Sequence, residues 1–69
     1  MTEKIEPHIL KKYEIVTKLG KGAYGVVWKA IDRKRKKICA VKKVFDEGGV
    51  FFAHGFDNIR KKYYVRSLY

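Results

Sequence analysis

The sequence predicts a mainly β chain: an antiparallel three-stranded meander followed by a short helix at the C-terminal end. Three observations point there. Tyr13, Ile15, Thr17 and Leu19 alternate with Glu14, Val16 and Lys18, the period of a strand. Val26–Ile31 and Ile38–Phe45 are rich in the β-branched and aromatic residues that suit a pleated surface. The connections between these runs are short, and no helical period precedes residue 46.

Taken in order, residues 1–12 read as a polar lead-in, in which Pro7 argues against a helix and Lys11–Lys12 add charge. Residues 13–46 hold the three strands. The first runs from Tyr13 until Gly20, Gly22 and Gly25 interrupt it, and Val26 starts the second. "DRKRKK" (Asp32–Lys37) is a polar turn into the third. Residues 47–69 form a tail of different character: three glycines and a short apolar cluster over Glu47–Phe56, then "DNIRKKYYVRSLY". Asp57 is a candidate N-cap there, since its carboxylate can accept the orphan donors of a first turn. Ile59 and Tyr63 lie four apart, as do Tyr64 and Leu68, although the two pairs do not share one stripe.

Sixty-nine residues make at most one small domain, with 46% apolar residues to supply a core. Chains of this size rarely gain more than ~3–5 kcal/mol from one core. The single cysteine, Cys39, excludes an internal disulfide and a multi-cysteine zinc site, and favours a reducing compartment. No basic region leads into a long apolar run, and no apolar run approaches the ~18 residues that span a membrane. The expectation is therefore a protein of the cytoplasm, the nucleus or both, with no membrane partner. A net charge of +10 attracts polyanions without choosing among them.

The glycines carry the chemistry. G-x-G-x-x-G alone fits an ordinary hairpin as well as a phosphate loop. A dinucleotide-binding turn would need the third glycine to open a helix and an acid ~20 residues on. Gly25 instead leads into Val26, Val27 and Trp28, and the corresponding position is Ala40. A Walker-type loop needs Gly-Lys-Ser/Thr, which is absent. A strand, a glycine loop and a second strand remain. Glycines there let backbone N–H groups reach phosphate oxygens, with Tyr24 at the tip as a shield and Val27 beneath a base. In "CAVK" (Cys39–Lys42), Ala40 and Lys42 share one strand face, which suits a flat ring beside charged phosphates. Lys43 points to the other face, and stands as the register alternative.

"LGKGAYGVV" (Leu19–Val27), followed seventeen residues after Gly25 by the lysine of "CAVK", resembles the start of a eukaryotic protein kinase. "ILKKYEIVTKLGKGAYGVVWKAIDR" with "AVKKVFD" is similar to the mitogen-activated family, and Trp28 with "KKVFD" to its atypical extracellular signal-regulated branch. The resemblance implies the first three strands of a kinase small lobe, an incomplete α+β fold. It also implies an ATP site formed by Leu19, Gly20, Lys21, Gly22, Ala23, Tyr24, Gly25, Val26, Val27, Ala40 and Lys42. Gly20, Gly22 and Gly25 would cover the phosphates, Leu19, Val27 and Ala40 would line the adenine slot, and Lys42 would hold the α- and β-phosphates. ATP with Mg²⁺ is the implied ligand, and the protein partners of a full-length kinase are implied with it.

The resemblance covers roughly residues 8–46. A kinase next supplies a helix glutamate for the lysine, about seventeen to nineteen residues on, where Ile59, Arg60 and Lys61 stand here. Neither His-Arg-Asp nor Asp-Phe-Gly occurs, so no catalytic residue or metal ligand is present and the 69 residues are expected not to phosphorylate. The tail resembles no kinase segment. An alternative exon, a frameshifted or truncated gene, and a small protein with its own interaction tail would each produce it. A three-stranded sheet without its helix should leave one face and two edges open, favouring aggregation.

Two basic stretches suggest other functions. "RKRKK" (Arg33–Lys37) is a solvated turn or a localisation or polyanion patch. "RKKYYVR" (Arg60–Arg66) interleaves basic and aromatic residues as single-strand binders do, though nucleic acid is the less favoured partner. A small basic protein engaging nucleic acid or an acidic partner is the alternative function, as is a truncated isoform competing for a kinase's partners. His8 and His54 lack ligand neighbours at metal spacing, and Cys39 reads as a packed thiol.

Overall fold

A computed structural model describes residues 4–45 and 49–68. Residues 1–3 of the lead-in, the boundary read at residues 46 and 47, and Tyr69 lie outside them. The elements are α1 (Pro7–Lys12), β1 (Tyr13–Gly22), β2 (Gly25–Asp32), β3 (Lys37–Val44), α2 (Gly49–Phe52), β4 (Asp57–Arg60) and β5 (Tyr63–Ser67). The strands form one antiparallel five-stranded sheet in the order β1-β2-β3-β5-β4. The architecture is mainly antiparallel β, as the patterning predicts.

Two segments differ from their sequence expectation. Pro7 does not prevent a helix, because it sits in the first turn, where its missing N–H is an orphan in any case. The N–H groups of Ile9 and Leu10 both donate to the Glu6 carbonyl, and Ile9 is buried beneath the turn they form. The segment opening at Asp57 is extended rather than helical. Tyr63, Tyr64 and Val65 are strong strand formers, and the free edge of β3 offers them backbone partners, which helical spacing alone could not show. β4 and β5 turn over Lys61, whose φ of +49° is held by the Asn58 amide donating to the Lys61 and Tyr63 carbonyls. The open edge expected at β3 is therefore filled, and the sheet's edges are β1 and β4.

One sheet face carries the core: Val26, Trp28, Ala30, Cys39, Val41 and Tyr63, closed by Ile9 and Tyr13. Tyr63 is 1% exposed, and its hydroxyl accepts from the Glu6 N–H (3.0 Å) and donates to the Lys4 carbonyl (3.3 Å). The N-terminal residues are thereby strapped across this face. The opposite face carries Val27, Ala40 and Lys42, and it is the one that matters for the site.

Candidate functional site

The β1–β2 hairpin brings the glycines together. Gly20 pairs with Val27, Lys21 with Val26 and Gly22 with Gly25, leaving Ala23 and Tyr24 at the tip, with Tyr24 54% exposed. The three glycines have different reasons to be there. A Cβ at Gly25 would run into the Lys43 carbonyl and lie 3.1 Å from the Val44 Cα, so packing against β3 demands glycine. At Gly20 or Gly22 a Cβ would meet nothing within 4 Å. Neither has the positive φ that favours glycine, which among the described glycines belongs to Gly55 alone. Nothing within the described chain requires glycine at 20 and 22; close approach of an external group would. Gly25→Ala should accordingly cost about 1–3 kcal/mol of stability, as overpacking does, whereas Gly20→Ala should leave the denaturation midpoint nearly unchanged. Urea titration of both variants distinguishes the two roles.

Strand register then arranges the remaining residues. Val27 pairs with Lys42 and Lys42 with Tyr64, giving one row across the face; Lys29, Ala40 and Arg66 form the next. Val27, Ala40 and Lys42 thus share a face. Leu19 falls in the irregularity between Lys18 and Gly20 and is 55% exposed. Val26 points the other way, fully buried in the core, so only its backbone belongs to the loop. Lys43 also faces the other side: it pairs with Val26, donates to the Lys4 carbonyl (2.6 Å) and lies 5.6 Å from the Tyr63 ring. Strand parity separates the two lysines as the sequence reasoning expects.

The surroundings of Lys42 were not legible in advance. Its Nζ donates to the Phe52 carbonyl at 2.6 Å and lies 4.3 Å and 4.2 Å from the ring centroids of Phe52 and Phe56. Both rings come from the tail, one ending α2 and the other following it. Burial pushes the Lys42 pKa down, and the Arg66 guanidinium pushes it the same way. The cation beside Lys42 is Arg66, from β5. Ala40 is 4% exposed, so the small side chain that could accept a ring is covered too. Phe52, Phe56, Tyr64 and Arg66 are thus the site residues that sequence reasoning missed. Tyr64 and Arg66 could have been found had "YYVR" been read with strand parity; nothing local announces the two phenylalanines.

The remaining candidates behave as packing or surface. Cys39 is buried, and burial first, then the Asp32 carboxylate, push its thiol pKa up, which makes it a poor nucleophile. His8 and His54 are exposed, and among the described residues no three His, Cys, Asp or Glu side chains gather as a metal site. Among them, too, no helix is long and apolar enough to cross a membrane.

Comparison with known proteins finds protein kinases. The chain is 60% identical over 45 residues to extracellular signal-regulated kinase 2 of Dictyostelium discoideum, a match covering 65% of this chain and 12% of that protein. It is 67% identical over 42 residues to mitogen-activated protein kinase 15 of Xenopus laevis, covering 61% and 7%. It is 56% identical over 34 residues to extracellular signal-regulated kinase 7 of Drosophila melanogaster, covering 49% and 4%. The chain therefore spans about an eighth or less of the length of these relatives. No family model matches it, and no solved structure does.

Proposed function

The chain corresponds to an amino-terminal segment of the mitogen-activated protein kinases, and on that premise we propose that it is an ATP-binding segment of a serine/threonine kinase of this type. The observation that carries the proposal is the pair Gly20 and Gly22, which neither packing nor backbone conformation explains. Glycine at both positions lets the hairpin backbone lie against phosphate oxygens. Val27 and Ala40, in neighbouring rows of one face, suit an adenine ring, with Leu19 at its margin. Lys42, two residues from Ala40, supplies the point charge for the α- and β-phosphates.

These residues fit a nucleotide only after a rearrangement. The Phe52 carbonyl already occupies one Lys42 donor and the rings of Phe52 and Phe56 lie against the ammonium, so phosphate must displace them. Binding is consequently weak. Magnesium has no carboxylate cluster to meet among the described residues and would enter with the nucleotide's own phosphates. Neither His-Arg-Asp nor Asp-Phe-Gly is present, so these 69 residues bind without transferring phosphate. A cytoplasmic or nuclear setting, where ATP is plentiful, belongs to the same proposal.

Lys42→Met tests it. Isothermal titration with ATP and Mg²⁺ should show at least a tenfold loss of affinity, about 1.4 kcal/mol, with the fold intact by circular dichroism. Unchanged affinity would place the nucleotide, if it binds, elsewhere on the chain.

A further inference from the structure

A second feature lies at the end of the sheet where the β2–β3 turn meets α1. We propose that the cleft between them is a docking site for a phosphorylated, acidic protein segment. The two walls come from segments about twenty residues apart. They are joined by the Arg33 N–H donating to the Lys12 carbonyl (3.0 Å) and the Arg33 Nε donating to the Leu10 carbonyl (3.1 Å). The cleft between them measures about 470 Å³ and is lined by Lys11, Lys12, Arg33, Lys34 and Arg35, with Tyr13 and Asp32 as the other lining residues.

The turn's shape is set mainly by Asp32 and the backbone, while Arg33 ties it to α1 and the side chains of Lys11, Lys12 and Lys34 take no part in it. The Asp32 carboxylate accepts from the backbone N–H groups of Lys34 (3.0 Å) and Arg35 (3.1 Å), and Lys36 adopts a φ of +57° to close the turn. Asp32 also lies 3.6 Å from the Arg35 guanidinium, so the one acid in the cleft is already engaged. Glu14, outside the cleft, meets Arg33 at 4.0 Å. Five basic side chains therefore face a concavity containing a single, satisfied carboxylate. Such an arrangement repels itself and is relieved by a compact multivalent anion.

Phosphate on a peptide fits this better than nucleic acid does. Two guanidiniums within three residues can each grip phosphate oxygens through paired N–H donors, the chemistry by which arginine clusters read phosphorylated motifs. Single-strand binders present aromatic platforms for base stacking. The aromatic here, Tyr13, is 8% exposed and offers no face. Duplex binding draws on a run of phosphate contacts along an extended groove, whereas this cleft closes around one point between a helix end and a turn.

The test is fluorescence anisotropy on the whole chain. The probes are a labelled decapeptide with one phosphoserine among glutamates, its unphosphorylated counterpart, and a labelled DNA oligonucleotide. The phosphopeptide should bind at least tenfold more tightly than the unphosphorylated peptide. The pair K34Q/R35Q should weaken it at least tenfold, and so should K11Q/K12Q on the other wall, whose side chains hold no part of the turn. K61Q/K62Q, the same change in net charge at the β4–β5 turn, should cost less than twofold. Equal loss in the K61Q/K62Q pair would reduce the effect to overall charge and overturn the proposal. Phosphate-independent binding, or DNA binding more tightly with the same dependence on these pairs, would overturn it as well.

Discussion

Replacing both Phe52 and Phe56 by alanine should tighten Mg²⁺-ATP binding, by about five- to thirtyfold. Removing aromatic side chains ordinarily weakens a binding site, so the sign is the informative part. In the resting chain the Lys42 ammonium lies 4.3 Å and 4.2 Å from the two ring centroids and donates to the Phe52 carbonyl. Each cation–π contact is worth ~0.5–1 kcal/mol when exposed and ~2 when desolvated. Two such contacts in a half-buried setting hold the lysine by about 1–2 kcal/mol, and that hold is what phosphate must overcome. The Phe52 carbonyl survives the substitution, so the gain should stay within this range. Isothermal titration beside Lys42→Met measures it. A loss of affinity in the double variant, with circular dichroism unchanged, would mean that the rings position the lysine for the nucleotide rather than withhold it.

Trp28→Ala should abolish cooperative folding at 25 °C. Trp28 is 5% exposed in the middle of β2, paired with Val41, and forms part of the same cluster as Val26, Ala30 and Tyr63. Truncating a buried tryptophan costs ~3–5 kcal/mol, and a single core in a chain of this length rarely supplies more than ~3–5 kcal/mol altogether. The two quantities cancel. Urea denaturation followed by far-ultraviolet circular dichroism should show a clear transition for the parent and a sloping baseline for the variant, with Trp28→Phe intermediate. A retained transition within 1 M urea of the parent would show that the core does not hinge on this ring.

What was legible in the sequence followed from local rules. Alternation and β-branched runs placed β1, β2 and β3, and the period-two rule put Ala40 and Lys42 on one face and Lys43 on the other. The turn at Asp32–Lys37 was readable because polar residues filled it. The tail was not, since four-residue spacing in "IRKKYYVRSL" suits a helix equally well and the decision belonged to the edge of β3. Pro7 misled for the opposite reason: a residue that breaks helices inside them starts them at the first turn. The cover over Lys42 depends on Phe52, ten residues along, meeting a strand it does not pair with, and no periodicity records such a meeting.

The pairing of β5 with β3 has a consequence for how the chain is made. β1, β2 and β3 join through hairpins, so each strand finds its neighbour soon after emerging from the ribosome. β3 waits longer: its partner across the ladder runs from Tyr63 to Ser67, with Cys39 opposite Ser67. Until residues 63–67 have emerged, three paired strands travel with an open edge along β3. During that interval, before the tail has docked, the nascent hairpins are most exposed to stray strands.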